Sequence, residues 1–176
     1  TGCEEDDNGN NITPSLLVGH WGYISETSTT NKTYDYDGDL FENEQTTTWL
    51  SNYPSIDDSV KVMLYLTFFD NFQMNQSSYL LNSNDQVLNV EESILIDYSL
   101  EGNVISMPNF FPDVSGDGFI NQLTETNLEI QWEWNSVGIE GVVSLDSEMN
   151  PITTDVEYSQ NTVTVISLYK VSELPE

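Results

Sequence analysis

The chain has 176 residues, 30 acidic against 3 basic and one cysteine, for a formal net charge of −27. That length is one domain's worth of chain with room for a proper core, and 38% hydrophobic with 11% aromatic residues is a globular composition. The charge excludes nucleic acid, which is met with Lys and Arg in numbers, and direct adsorption to an anionic membrane surface. A single thiol leaves no intrachain disulfide, and no apolar run approaches the roughly 20 residues of a spanning helix.

The first residues are Thr1-Gly2-Cys3-Glu4-Glu5-Asp6-Asp7-Asn8-Gly9-Asn10-Asn11. Residues 4 to 11 hold nothing apolar to bury, so 1–14 is expected to be a flexible acidic tether ahead of one domain over 15–173. Four acids beside Cys3 disfavour its thiolate, which speaks against a nucleophile. Thr1-Gly2-Cys3 resembles the end of a bacterial lipoprotein signal, where small residues precede the lipidated cysteine. Glu4, Glu5, Asp6 and Asp7 resemble the export signal that Bacteroidetes place just after it. The resemblance implies acyl chains on Cys3, an anchor in the outer membrane and exposure at the cell surface; each buried CH₂ contributes about 0.8 kcal/mol to such anchoring.

Pro14 and Ser15 predict a short helical turn, Pro at a first-turn position and Ser as a cap. Gly19 ends it, and Trp21 and Tyr23 open an alternating strand. Residues 26–60 read as a long insertion. Segment 61–69, Lys-Val-Met-Leu-Tyr-Leu-Thr-Phe-Phe, is apolar on both parities; it is a strand covered on both sides or a short buried helix, and its flanks favour strand. Segments 71–81, 86–90, 93–98 and 103–107 follow, parted by Glu91-Glu92 and by the hairpin turn Glu101-Gly102-Asn103. In 127–135, Leu128, Ile130, Trp132 and Trp134 share one face and Glu129, Gln131, Glu133 and Asn135 the other. Segments 139–145 and 162–170 are β-rich, with a turn at Asn150-Pro151 and a further strand at 152–158. Short strands with turns every 8–12 residues predict an all-β sandwich or barrel.

Gly19-His20-Trp21, opening the first strand after a short turn, resembles the Gly-x-Trp signature of lipocalins. Glycine lets the backbone turn tightly there, and the indole plugs the closed end of a barrel. In that family a basic side chain of the last strand lies over the ring; Lys170 is the candidate here. The stretch from Gly118 to Ile130, with Leu123-Thr124-Glu125-Thr126-Asn127-Leu128 at its centre, resembles the Leu-Thr-x-Thr-x-Leu stretch of lipocalin-like lipoproteins of Bacteroidetes. Together these cover roughly residues 15 to 171. They imply one antiparallel up-and-down β-barrel of about eight strands, and small-molecule binding as the expectation from its shape.

Trp132 and Trp134 are candidates to line a calyx for an apolar ligand or a sugar ring, against the plainer reading of packed core. Asp113, Ser115, Asp117 and Asn121 match positions 1, 3, 5 and 9 of an EF-hand calcium loop, with Gly118 at 6. Thr124 stands where the bidentate glutamate belongs, so an ordinary loop competes with calcium. Asp35, Asp37 and Asp39 are a second weak calcium candidate. His20 is the sole histidine, and no spacing suggests a nucleophile, base and orienting group, so no enzyme is expected. A surface-anchored binding protein is the leading expectation. An accessory subunit of an outer-membrane protein complex is the alternative.

Overall fold

A computed structural model describes residues 12–50, 53–54, 60–93, 95–108, 110 and 117–176. Pro14 starts α1 (Pro14–Leu17), but Thr13 rather than Ser15 holds the N-cap, and it makes no side-chain cap bond. The turn is instead closed by the backbone, with Leu16 N donating to Thr13 O at 2.9 Å. Twelve strands follow in chain order: β1 (Gly19–Tyr36), β2 (Asp39–Leu50), β3 (Tyr53–Pro54), β4 (Val60–Phe68), β5 (Gln73–Asn82), β6 (Val87–Glu92), β7 (Ile96–Asp97), β8 (Ser99–Glu101), β9 (Val104–Ser106), β10 (Asp117–Leu123), β11 (Asn127–Leu145) and β12 (Pro151–Val171). The class is all-β.

The chain gathers into two compact units: residues up to Glu26, Trp49–Trp132 and Val165–Glu176 form the first, Thr27–Thr48 and Glu133–Thr164 the second. Strands β1, β2, β11 and β12 contribute to both. Strand pairing follows the order β6-β5-β4-β1-β12-β11-β10-β9-β8, with β2 on β1, β3 on β4 and β7 on β5. First and last strands are therefore neighbours, as an up-and-down barrel requires, but the path ends at β6 and β8, and among the described residues the expected closure is not made. A single residue, Tyr98, separates β7, paired with β5, from β8, paired with β9. Tyr98 is buried there, edge-on to Phe68 at 5.3 Å, with its hydroxyl donating to Phe69 O at 3.2 Å.

The core of the first unit follows from alternation in β11 and β12 and from double coverage in β4. Leu128, Ile130 and Trp132 are fully buried, as are Ile166 and Leu168; each such side chain contributes about 1.5–3 kcal/mol. In β4 four successive residues, Tyr65, Leu66, Thr67 and Phe68, are buried, the mark of a strand covered on both sides. Tyr65 and Tyr79 meet edge to face at 5.4 Å beside Leu81. Gly102, at φ +62, turns β8 into β9, where the hairpin was expected. Glu91-Glu92 belong to β6 rather than ending it.

The second unit is where strand lengths depart from expectation. β11 and β12 run 19 and 21 residues, so 127–135 and 139–145 are one strand, and 152–158 and 162–170 another. The 26–60 stretch supplies the second half of β1 and all of β2, joined by Asp37-Gly38 at φ 53 and 91. Two positive φ values are what a two-residue hairpin loop matched to strand twist demands. Hydroxyl pairs lace the sheet: Thr29–Thr46 at 3.2 Å, Ser28–Thr164 at 2.6 Å and Thr30–Thr162 at 3.1 Å, each a cross-strand contact of modest strength. Asp146 closes the β11–β12 turn, its Oδ1 accepting from Glu148 N at 2.8 Å and Asn150 N at 2.9 Å. Those bonds hold its carboxyl below the usual range.

Candidate functional site

Gly19, Trp21 and Lys170 are brought together in the first unit. Trp21 is fully buried and its Nε1 donates to Leu17 O at 2.7 Å. Lys170 Nζ lies 4.8 Å from the Trp21 ring centroid and donates to Leu16 O and Val18 O, both at 2.7 Å. A short helix leaves its last carbonyls without partners; here an ammonium and an indole supply the donors. Gly19 sits at φ +128, and a Cβ there would meet Lys170 Cε at 3.0 Å, so the position excludes a side chain twice over. Desolvation lowers the Lys170 pKa. His20 points elsewhere, its Nδ1 2.9 Å from Thr67 Oγ1.

The two ligand candidates of β11 part company. Trp132 is fully buried, stacked on Phe110 at 5.9 Å, and its ring covers Gly118, whose Cβ would fall 2.8 Å from it. Trp134 is half-buried and belongs to the second unit. Cys3, Glu4, Glu5, Asp6 and Asp7 lie outside the described residues, as do Asp113 and Ser115. Asp117 begins β10, and Asn121 sits at a bulge in it, donating to Glu129 at 3.1 Å and Gln131 at 3.1 Å. Asp35 Oδ1 accepts from Gly38 N at 2.9 Å, so this carboxylate serves the hairpin turn. Among the described residues no group of three or more His, Cys, Asp or Glu is placed to hold a metal ion.

The second unit groups exposed apolar side chains around two clefts. Alternation sends Leu40, Val137 and Ile139 to one face of its sheet and Phe41, Tyr34, Tyr36 and Val142 to the other. Each face holds a cleft, of about 490 Å³ beside Leu40, Val137 and Ile139 and about 510 Å³ beside Tyr34, Tyr36 and Phe41. Tyr34, in the second, has its ring 6.0 Å from that of Tyr158, which with Gly138 lines the first; a Cβ on Gly138 would strike the Tyr158 hydroxyl at 2.7 Å. Lys32 Nζ lies 4.5 Å from the Tyr158 centroid and 2.8 Å from Glu140 Oε2, which also accepts from Tyr34 Oη at 3.2 Å. The lysine holds the Glu140 carboxyl below the usual range. Lys32 and Tyr34 lie in 26–60, which reads as an insertion, and the period-two run Lys32, Tyr34, Tyr36 ahead of Asp37-Gly38 is the available signal there; Glu140 and Tyr158 lie in the expected strands 139–145 and 152–158.

Compared with protein-family models, with curated proteins and with solved structures, the chain matches none.

Proposed function

We propose that this chain is a lipid-anchored, non-catalytic binding protein of the cell surface, and that it takes a small apolar or saccharide ligand. Anchoring in the outer membrane rests on the order Thr1-Gly2-Cys3 followed by four acids. The observation that carries the binding role is the grouping of exposed apolar side chains around the clefts of the second unit. Trp21 and Trp132 are packed to full burial, whereas Phe41 and Val137 remain 58% and 83% exposed. Exposed large apolar side chains grouped around clefts mark interaction surfaces, and volumes near 500 Å³ fall in the range of small-ligand sites.

A second reading, an accessory subunit of an outer-membrane protein complex, is favoured by the aliphatic face. Leu40 and Ile139 are both 68% exposed there, which suits protein better than a polyhydroxylated ligand. Native mass spectrometry of the protein extracted gently from its own membranes tests both. A small adduct on the acylated monomer is expected. A stoichiometric protein partner without an adduct would replace the first reading with the second. Cys3→Ser should release the protein from membranes, and its continued retention would mean a different anchor.

A further inference from the structure

We infer that the cleft formed by Tyr34, Tyr36, Phe41, Asn43 and Glu140 on one face of the second unit is a binding site for a neutral saccharide. The inference rests on the binding-protein reading and names its site and ligand class. Four strands build the cleft. β1 sends Tyr34 and Tyr36 to this face, β2 sends Phe41 and Asn43, β11 sends Glu140, and β12 supplies the buried Val156 floor. Tyrosine offers a large, rigid, amphipathic surface at little entropic cost, and Tyr36 and Phe41 are 41% and 58% exposed.

The ligand class follows by elimination. The three lysines are each engaged, Lys32 with Glu140, Lys61 with Asp85 and Lys170 with backbone carbonyls. Residues 27–48 and 133–164 carry eleven acidic side chains and one basic. An anion, whether phosphate, sulfate or uronate, would meet a negative field with no cation to receive it. A cation would compete for Glu140 with Lys32, whose ammonium already lies 2.8 Å from its Oε2 and 5.9 Å from the Tyr34 centroid. A wholly apolar ligand would strip water from the exposed Glu140 carboxylate and Asn43 amide and offer no hydrogen bond in its place, which is costly. A neutral sugar satisfies all three conditions. The C–H face of its ring lies on an aromatic plane, and its hydroxyls both donate to carboxylate and amide oxygens and accept from phenols.

The geometry also orders the site before a ligand arrives. Glu140 Oε2 is held by Lys32 at 2.8 Å and by Tyr34 Oη at 3.2 Å. Pre-placed groups lower the ordering cost of binding.

The test is isothermal titration of the full chain with maltohexaose, cellohexaose, xylohexaose and mannohexaose, and with a hexameric galacturonate as the anionic control. At least one neutral hexasaccharide is expected to bind and the galacturonate is not. Tyr36→Ala and Phe41→Ala should each weaken that binding about tenfold, the loss of one aromatic contact, with an unchanged melting temperature because both rings are exposed. Glu140→Gln should weaken it as well, leaving the apolar contacts in place. No binding by any neutral hexasaccharide overturns the inference, and so does binding that both aromatic variants leave intact. Either failure spares the binding-protein reading if native mass spectrometry still finds an adduct of another class; absence of any adduct removes that reading itself.

Discussion

Lys170 Nζ, on the last strand, lies 4.8 Å from the ring centroid of Trp21, on the first. The same ammonium donates to the carbonyls of Leu16 and Val18 at 2.7 Å, while the indole donates to Leu17 at 2.7 Å. Three consecutive carbonyls at the end of α1 are thus received by two side chains that also face each other. Apolar packing, a cation over an aromatic face and charge-assisted hydrogen bonds act on one small volume.

Trp21→Ala should therefore cost about 3–5 kcal/mol, the range for truncating a fully buried large aromatic. Urea unfolding followed by far-ultraviolet circular dichroism measures it without relying on tryptophan fluorescence. Trp21→Phe should cost less, since it keeps most of the packing and loses only the bond to Leu17. An unchanged unfolding midpoint in Trp21→Ala would show that the indole does not hold this end of the fold.

Lys170→Met keeps the aliphatic stem and removes both donors. The carbonyls of half-buried Leu16 and Val18 then lose a charge-assisted donor, at a cost of about 1–3 kcal/mol, so the midpoint should fall. Gly19→Ala adds strain at φ +128 and presses on Lys170 Cε from 3.0 Å, with an expected loss of about 1–3 kcal/mol. Part of that loss is steric, so Gly19→Ala should cost less in a Lys170→Ala background than alone. Strict additivity across this double-mutant cycle would mean the two positions do not touch in solution.

Gly118→Ala tests the other buried indole. A Cβ at this position would fall 2.8 Å from Trp132 Cε2 and 3.0 Å from Ile130 Cγ2. Neither neighbour is the free end of a flexible chain, so the strand or the ring must shift. Overpacking of this kind costs about 1–3 kcal/mol. The loss should appear in chemical denaturation, with a shifted indole Nε1–H resonance by nuclear magnetic resonance. A wild-type midpoint would mean that the space over Gly118 is open, as a ligand-lined calyx would have it.

How much of this was legible follows from where the burial pattern is simple. Leu128, Ile130 and Trp132 alternate with polar residues because one face of β11 is covered, and a period of two declares itself. Gly19, Trp21 and Lys170 were legible through a resemblance in sequence order. In the second unit both sheet faces are open, so Val137, Ile139, Val142 and Val143 stay exposed and alternation no longer separates inside from outside. Strands there looked shorter than they are. Asp37-Gly38 was a readable hairpin signal, overshadowed by the three aspartates around it. That the path ends at β6 and β8 has no local signature, because which strands pair at long range is not written in the propensity of either.

Burial of ionisable groups gives the molecule a definite pH response. Desolvation, with Tyr169 and Tyr79 adding to it, pushes the Tyr65 phenol from 10.0 up to about 12. Between those values the unfolded chain releases this proton and the folded chain keeps it, so stability is complete below about pH 10 and declines as pH rises toward 12. Denaturation midpoints should drop across that window, and Tyr65→Phe should remove part of the drop. On the acid side, half-buried Glu26 has its carboxyl raised by desolvation; burial, with the Glu26 charge adding to it, raises the phenol of Tyr23. A raised carboxyl binds its proton more tightly in the folded state, so ionisation at neutral pH weakens the fold. Glu26→Gln should raise the melting temperature at pH 7, with the gain shrinking as falling pH protonates Glu26 in the parent. A gain that persists unchanged into strong acid would assign the effect to packing rather than to charge.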